Sequence, residues 1–151
     1  DPALFVPHNM KEWQETGNTA LLLVTTNGEE NHTFDDPMLP TPTLEGMPYT
    51  KSIWSEIGIP FLRSRFMCVK AHGINQPHFD MGEWWSRHLR IHIPVKTNEK
   101  AEFVYGDTQQ HLPAGSCWLF DTHNNIHSAI NDGDEERIHL VIDVPRAQWQ
   151  R

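Results

Sequence analysis

The sequence predicts an all-β fold, a sandwich or closed barrel of short strands with one or two short helices packed outside. Over the C-terminal two-thirds of the 151-residue chain, short stretches rich in β-branched and aromatic residues alternate apolar with polar positions. Clusters of Asn, Gly, Pro and Asp separate these stretches at short spacing, which is typical of sandwiches and barrels. No internal repeat is visible, and the length suits one domain, residues 1–151, with one core.

The N-terminal part, residues 1–64, is expected to contain a strand and the helices. A helical turn is possible at residues 10–15, and the β-branched, apolar stretch 21–26 predicts a strand that ends at an Asn-Gly pair. Residues 35–48 contain four prolines and predict a surface loop. Thr50 is the expected N-cap of a short amphipathic helix that ends at Gly58.

The core, residues 65–144, is expected to contain the remaining strands and the chemistry. The predicted strands are residues 65–72, 89–96, 101–105, 116–121 and 137–144. The predicted breaks between them are residues 75–77, 97–98, 113–115 and 131–133.

Composition excludes some classes of partner. The formal charge of −8 and the pI near 5.6 argue against a nucleic-acid backbone or an anionic membrane surface as partner. The apolar runs are too short to span a bilayer and no secretory signal is visible, so a cytoplasmic location is expected. Cys68 and Cys117 are expected to be buried free thiols, with a single disulfide as the alternative.

Ten histidines are an unusual number, and two features suggest that some of them bind a metal. In an extended strand, His78 and Asp80 project from the same face while Phe79 packs outward, although His-x-Asp often arises by chance. His127 can supply a third ligand from a distant strand. Two imidazoles and one carboxylate on one side of a metal leave open positions for substrate and dioxygen, unlike a closed structural zinc site.

Arg137 is the next candidate. Residues 131–136 predict a turn, so the flanking stretches are expected to form an antiparallel hairpin with Arg137 across from His127. A guanidinium group beside a metal can bind a dicarboxylate whose other end chelates that metal. The alternative is a surface arginine paired with Asp134 or Glu135.

Together with Arg90-Ile91-His92, Trp118-Leu119-Phe120-Asp121 and His127-Ser128-Ala129, these residues resemble the aspartyl/asparaginyl β-hydroxylase superfamily of Fe(II)/2-oxoglutarate-dependent dioxygenases. The closer resemblance is to bacterial hydroxylases of free proline. It covers about residues 65–144 and is most specific between Gly115 and Arg137.

The resemblance implies a double-stranded β-helix, a cupin-like jelly roll, that forms a single Fe(II)/2-oxoglutarate dioxygenase domain. His78, Asp80 and His127 would be the iron ligands and Arg137 would bind 2-oxoglutarate. The Arg-x-His strand would place Arg90 and His92 at the nearer carboxylate of the cosubstrate or at the substrate's own carboxylate. The alternative for this pair is an outward-facing polar row. The cofactors implied are Fe(II), 2-oxoglutarate and dioxygen, with ascorbate as an additive in vitro.

The remaining candidates surround this group. One of Trp84 and Trp85 is expected to form a wall of the substrate pocket, the alternative being a pair split between core and surface of a strand. Asp121 and Asn131 are candidates for orienting the metal ligands, whereas His123 is not expected to be a ligand. His72, His88, His111 and His139 are given no role.

The leading functional hypothesis is a hydroxylase of a free amino acid or similar small polar molecule. The alternatives are a hydroxylase of Asp, Asn or another residue within a peptide, and a cupin-like metal-binding or sugar-binding protein or enzyme without 2-oxoglutarate chemistry. Arg137 favours either hydroxylase over the cupin-like protein, because a cupin that does not bind 2-oxoglutarate has no need of this arginine. The oligomeric state is left open.

Overall fold

A computed structural model describes residues 5–7, 11–30 and 32–149. The strands found in these residues are β1 (Val6–Pro7), β2 (Asn18–Thr26), β3 (Met38–Pro40), β4 (Ser64–Val69), β5 (Gly73–His78), β6 (His88–Lys96), β7 (Ala101–Tyr105), β8 (Thr108–His111), β9 (Trp118–Phe120), β10 (His127–Asn131) and β11 (Arg137–Pro145). The helices are α1 (Lys11–Glu15), α2 (Pro42–Glu45), α3 (Pro48–Ile57), α4 (Glu83–Arg87) and α5 (Arg146–Trp149).

The strands form two antiparallel sheets. The larger sheet has the order β1-β2-β4-β11-β6-β9, with β3 also paired to β2, and the smaller one has the order β5-β10-β7-β8. From β4 to β7 each consecutive strand changes sheet, and β8 to β11 again cross between the sheets three times. This winding is that of a double-stranded β-helix, so the predicted all-β fold with short packing helices is confirmed.

The two faces of the larger sheet differ in chemistry because side chains alternate along each strand. One face packs on the helices through an apolar core that includes Leu23, Trp54, Phe66, Leu140 and Ile142. The other face points toward the smaller sheet. It carries buried charged and polar residues, among them Arg65, Arg90, His92, Arg137 and His139. An interior of this kind is costly to fold unless its polar groups are paired, and it marks where the chemistry is expected.

Strand β5 was not predicted, because its sequence contains residues typical of turns. The predicted strand 65–72 ends at Val69, and residues 73–78, which include the break expected at 75–77, form β5. Pro77 lacks an N–H and is tolerated here because β5 is an edge strand of the smaller sheet. The short strand β8 was also not expected, whereas β10 contains the strand that the expected hairpin placed at His127.

The predicted hairpin between His127 and Arg137 is wrong. β10 pairs with β5 on one side and β7 on the other, so both of its edges are occupied. β11 lies in the larger sheet between β4 and β6. The turn between β10 and β11 therefore carries the chain from one sheet to the other, and Arg137 approaches the site from the opposite wall of the barrel.

The N-terminal part also differs from the expectation in detail. Helix α3 begins at Pro48 with Met47 as its N-cap, so Thr50 is inside the helix; proline suits the first helical turn because it needs no hydrogen-bond donor there. The helix ends at Gly58, which adopts a left-handed conformation with φ of 72°, as predicted. The loop expected at 35–48 contains β3 and α2. The expected helical turn is present as α1, and Met10 lies outside the described residues.

Both cysteines are free thiols, but only Cys68 is buried; the expected burial of Cys117 is wrong because the residue lies on an exposed approach to β9. Among the described residues, no helix combines the length and the hydropathy needed to cross a bilayer.

Candidate metal centre

Three residues that the sequence singles out meet at one end of the smaller sheet. His78 is the last residue of β5 and lies directly opposite His127, the first residue of β10. Asp80 follows two residues later and brings Oδ1 to 3.9 Å from His78 Nε2 and Oδ2 to 3.7 Å from His127 Nε2. Within the described parts of the chain, this is the group whose three ligand atoms all lie within 4.8 Å of one another.

Backbone carbonyl groups orient both imidazoles. His78 Nδ1 lies 2.6 Å from the carbonyl oxygen of Gln76, and His127 Nδ1 lies 3.3 Å from that of Asn125. Because a carbonyl oxygen only accepts, each Nδ1 carries the proton and each Nε2 keeps its lone pair. Burial lowers the pKa of His78, and it lowers that of His127 to about 4. Both rings are therefore neutral near pH 7, as metal binding requires.

Asp80 is held as an ionised carboxylate. Its backbone N–H donates to Thr122 O at 3.0 Å, and Phe79 points outward with 45% of its surface exposed, as the alternation predicts. Burial alone would raise the pKa of Asp80, but the nearby Arg90 and His127 outweigh that effect and hold the pKa at about 2. Two neutral imidazoles and one carboxylate on one side fit a divalent metal with open positions, and zinc-type closed cages need a fourth protein ligand.

Arg90 joins this carboxylate to the larger sheet. Its Nη1 donates to Asp80 Oδ2 at 2.8 Å and its Nε donates to Asp143 Oδ1 at 3.0 Å. Asp143 accepts a further hydrogen bond from Trp84 Nε1 at 3.0 Å. The Arg90 guanidinium carbon lies 4.2 Å from the ring centroid of Trp85. Arg90 is therefore fixed by two carboxylates and one aromatic face, and it fixes Asp80 in turn.

The tryptophan pair lies on helix α4 and not on a strand. Neither Trp84 nor Trp85 is among the described residues that line the cavity beside the triad. Trp84 contacts Asp143 and Trp85 contacts Arg90, so both tryptophans hold the residues that orient Asp80. A pair of tryptophans has strand propensity, so the pair by itself did not indicate a helix.

The triad opens into a cavity between the two sheets. It is lined by Trp13, Arg65, Met67, Val69, Asn75, His78, Asp80, Arg90, His92, Phe103, His127, Ala129, Arg137 and Val141. The predicted residues Arg90, His92 and Arg137 are thus brought together with the triad. Arg90 and His92 are 5% and 7% exposed, so the alternative of an outward-facing polar row is wrong.

Arg137 is a buried cation in this cavity. It is 4% exposed, and its Nη2 donates to His139 Nδ1 at 2.9 Å. Burial lowers the pKa of Arg137 to about 9, because no carboxylate among the described residues compensates the cost of burying its charge. Surface pairing with Asp134 or Glu135 is therefore wrong. His92 Nε2 is likewise buried without a hydrogen-bond partner in the described residues.

Three residues of the site were not foreseen. The ring of Trp13, on α1, lies 4.5 Å from the ring of His78, and Arg65 lines the cavity from β4. His139 contacts both Arg137 and His92 from inside the barrel. The signal for His139 was its position two residues after Arg137 on one strand, which places both side chains on the same face.

Asp121 and Asn131 stabilise loops and do not contact the triad. Asp121 accepts two hydrogen bonds from Arg146 on α5, at 2.7 and 2.6 Å. Asn131 donates to the carbonyl oxygens of Val69, Lys70 and Glu135. His123 is not a member of the triad, as expected; its Nδ1 lies 2.9 Å from the carbonyl oxygen of Asp80 and so supports that residue's backbone.

A second cavity, of about 430 Å³, lies beside β2 and α2. The described residues that line it are apolar, glycine, proline, threonine and glutamate residues, such as Leu22, Thr41 and Glu29. They include no histidine or arginine. The cavity beside the triad is therefore the one whose lining can bind a metal and an anion.

Comparison with known proteins agrees with this geometry. A family model described as Aspartyl/Asparaginyl beta-hydroxylase matches residues 18–147, which include every residue of the triad and its arginines.

Several solved structures are similar to this chain at low sequence identity. A 2OG-Fe(II) oxygenase family oxidoreductase from Burkholderia pseudomallei is 11% identical with a TM-score of 0.60, over 85% of this chain and 66% of that one. KdgF from Halomonas sp. is 13% identical with a TM-score of 0.47, over 89% and 86% of the two chains. The Cnp3 cupin domain of Schizosaccharomyces pombe is 10% identical with a TM-score of 0.46, and the match covers 58% of each chain. The Burkholderia structure shows that the fold is shared.

Proposed function

Because the chain belongs to the aspartyl/asparaginyl β-hydroxylase family, we propose that it is an Fe(II)- and 2-oxoglutarate-dependent dioxygenase. Its substrate is a small polar molecule such as a free amino acid, hydroxylated at an unactivated C–H bond. One observation carries the proposal: a His-Asp-His group and a buried arginine without a carboxylate partner among the described residues line the same cavity.

In this proposal the iron ligands are His78 Nε2, one Asp80 carboxylate oxygen and His127 Nε2. The structure supports the assignment through the fixed proton positions on Nδ1 of both imidazoles and the ionised state of Asp80. Nitrogen and oxygen donors with several open positions suit Fe(II) chemistry with dioxygen. Arg90 orients Asp80 through the hydrogen bond from its Nη1 to Asp80 Oδ2.

Arg137 binds the distal carboxylate of 2-oxoglutarate, and His92 contacts the carboxylate nearer the metal. A buried guanidinium group gains most from a planar, bidentate anion, and 2-oxoglutarate supplies one. His139 accepts from Arg137 and so fixes the direction in which the guanidinium group points. Arg90 also lines this cavity, and its Nη2 is buried without a hydrogen-bond partner in the described residues.

Iron, 2-oxoglutarate and dioxygen supply the oxidation when bound, with succinate and carbon dioxide as co-products and one oxygen atom entering the substrate. The chain's own residues bind, orient and exclude water. Phe103, Ala129 and Val141 give the cavity apolar walls between its charged groups. No protein general base is required, and the buried site limits the access of water to the oxidising centre.

A small substrate is favoured by the position of the cavity. The lining residues come from both sheets and most of them are buried, so the cavity lies inside the barrel. A folded protein surface does not enter such a site, so a free amino acid or a short flexible segment is favoured as substrate. An Asp or Asn residue within a peptide is the second candidate substrate, and short peptides are therefore included in the assay.

The test is succinate production by the purified chain with Fe(II), ascorbate and 2-oxoglutarate across free amino acids and short peptides. His127→Ala and Arg137→Ala are the site variants, and Lys51→Ala, distant on α3, is the control. We expect turnover stimulated by a free amino acid, lost in both site variants and retained in the control. The proposal is refuted if the chain neither consumes 2-oxoglutarate nor binds it when loaded with metal. The site would then be a cupin metal site of another kind.

A further inference from the structure

His92 is a buried imidazole with one nitrogen that has no hydrogen-bond partner among the described residues. It lies on β6, is 7% exposed and lines the cavity that contains the triad. The nitrogen without a partner is Nε2, and the other nitrogen, Nδ1, lies 3.5 Å from His139 Nδ1 on β11. A neutral imidazole has one N–H donor and one lone pair, so the position of its proton decides what Nε2 can bind.

Arg137 fixes the proton of His139. The Nη2 atom of Arg137 lies 2.9 Å from His139 Nδ1. A guanidinium group only donates, so His139 Nδ1 accepts and the ring carries its proton on Nε2. Burial and the positive charge of Arg137 both lower the pKa of His139, so this ring stays neutral. The nitrogen that faces His92 therefore has a lone pair and no proton.

The contact with His139 in turn fixes the proton of His92. A lone pair on His92 Nδ1 is repelled by the lone pair that it faces on His139 Nδ1, whereas an N–H on His92 Nδ1 is attracted to it. The neutral His92 therefore carries its proton on Nδ1. Its Nε2, which is buried and has no partner in the described residues, is left as an acceptor.

The charged and titratable groups that face His92 disfavour its protonation. Burial has the largest effect on the pKa of His92 and lowers it, and four neighbouring groups lower it further. These groups are His139, Arg137, Arg90 and His127, from β11, β6 and β10. Strands β7 and β9 present the rings of Phe103 and Phe120, with centroids 5.0 and 5.4 Å from that of His92. His92 is therefore neutral before an anion binds.

An acceptor at this position does not match 2-oxoglutarate, whose carboxylates only accept and one of which the proposed function places at His92. A proton on Nε2 replaces the repulsion between lone pairs by a charge-assisted hydrogen bond. Moving the existing proton from Nδ1 to Nε2 does not achieve this, because the lone pair left on Nδ1 then faces that of His139. The additional proton must come from solvent, and the negative charge of the bound anion favours its uptake.

We propose that binding of 2-oxoglutarate takes one proton from solvent onto His92 Nε2, and that His139 is the positioning residue that makes this proton necessary. The inference rests on the proposed function, because it assigns His92 to a carboxylate of the cosubstrate. His92 then binds as an imidazolium, with one N–H toward His139 and the other toward the carboxylate. The affinity of the metal-loaded chain for 2-oxoglutarate therefore increases as the pH is lowered.

The test counts the protons taken up with 2-oxoglutarate. The cosubstrate is titrated calorimetrically into the Mn(II)-loaded chain near pH 7, in buffers that differ in their ionisation enthalpy. The slope of the observed heat against that enthalpy gives the number of protons bound. Mn(II) holds the site without turnover, and Zn(II) is avoided because its bound water ionises near pH 7.

Three variants separate the groups involved. His92→Gln offers an amide N–H to the carboxylate without any exchange of protons, and His92→Asn serves if that variant does not fold. His139→Gln offers an amide that accepts from Arg137 and donates to His92 Nδ1, which frees the proton of His92 for Nε2. His72→Gln, at an exposed histidine paired with Asp134, is the matched control.

We expect wild type to take up about 0.5–1 proton per 2-oxoglutarate and its affinity to increase up to about tenfold when the pH is lowered by one unit. His92→Gln and His139→Gln bind 2-oxoglutarate with less than about 0.2 proton, while His72→Gln behaves as wild type. A proton number near zero in wild type, or the wild-type number in His92→Gln or His139→Gln, overturns the inference. In these cases binding of 2-oxoglutarate to the Mn(II)-loaded chain leaves the proposed function standing. Absence of any such binding refutes the proposed function and the inference with it.

Discussion

Replacing Arg90 with methionine tests how the site is held together. The side chain of Arg90 is 6% exposed and pairs with Asp80 at 2.8 Å and Asp143 at 3.0 Å. Methionine keeps much of the volume and the contact with Trp85 but removes the charge and both hydrogen bonds. The variant therefore leaves two buried carboxylates without their common cation.

The magnitude follows from the charges that lose their partner. Arg90 is the largest of the contributions that hold the pKa of Asp80 at about 2 against the opposing effect of burial, so its removal disfavours the ionised form. Asp80 and Asp143 are 10% and 2% exposed at their side chains, so solvent screens little of the loss. Breaking a buried pair by removing one partner costs about 3–5 kcal/mol. We expect Arg90→Met to lower the free energy of unfolding of the metal-free chain by about 3 kcal/mol.

Urea unfolding of the metal-free and Zn(II)-loaded chain measures the effect. The metal replaces the lost cation at Asp80, so the loss is smaller in the loaded protein. Adding Asp143→Asn to Arg90→Met removes one orphaned carboxylate and restores part of the stability, which a double-mutant cycle quantifies. Arg87→Met, on exposed α4 surface, is the control and stays within about 0.5 kcal/mol of wild type. A loss below about 1 kcal/mol for Arg90→Met, or a larger loss with metal than without it, refutes the reasoning.

Three further predictions follow from single contacts. Arg137→Met weakens 2-oxoglutarate binding at least about tenfold, because a hydrogen bond to a charged group contributes about 1.5–3 kcal/mol, and it leaves metal affinity unchanged. Calorimetric titration with the metal and with 2-oxoglutarate measures both affinities. Equal affinity of the variant and the wild type for 2-oxoglutarate contradicts the prediction. Burial lowers the pKa of His139, so below pH 6.5, the pKa of an unburied histidine, the unfolded chain binds a proton there that the folded chain does not. The free energy of unfolding therefore decreases as the pH is lowered through 6.5. In the metal-free chain, lowering the pH from 6.5 to 5.5 should decrease the free energy of unfolding by about 1 kcal/mol less in His139→Gln than in wild type. The same decrease in both proteins contradicts this prediction. The hydrogen bond from Arg146 lowers the pKa of Asp121, so this pair contributes stability above pH 3.8 that is lost as the pH falls. Asp121→Asn therefore lowers the free energy of unfolding by under about 1 kcal/mol at pH 7. If the variant and the wild type still differ in stability in 1 M salt, the contribution is not that of an ion pair.

The alternation of side chains along strands explains what the sequence could predict. It placed His78 and Asp80 on one face with Phe79 outward, and it placed Arg90 and His92 on the inner face of β6. These are local relations, which hold whichever strands become neighbours. The helix stop at Gly58 was equally local, because a left-handed residue there requires glycine.

What depended on tertiary neighbours could not be predicted in the same way. A turn between two strands indicates a hairpin, but β10 already has two neighbours, so β11 joins the other sheet. Pro77 indicates a break unless the strand is known to be at a sheet edge. Arg65 is indistinguishable in sequence from a solvated arginine, because its burial results from the sheet that covers β4 and not from its own neighbours in the chain.

The most direct test of the central claim is whether 2-oxoglutarate binds through a metal held by His78, Asp80 and His127. Under anaerobic conditions, Fe(II) is added to the chain with 2-oxoglutarate, and the visible charge-transfer absorption of the chelate is followed with the amount of bound iron. We expect the absorption to saturate at about one iron per chain and His127→Ala to abolish it, while Arg87→Met does not. Saturation of the same absorption in His127→Ala, or tight binding of 2-oxoglutarate to the metal-free chain, would contradict the account.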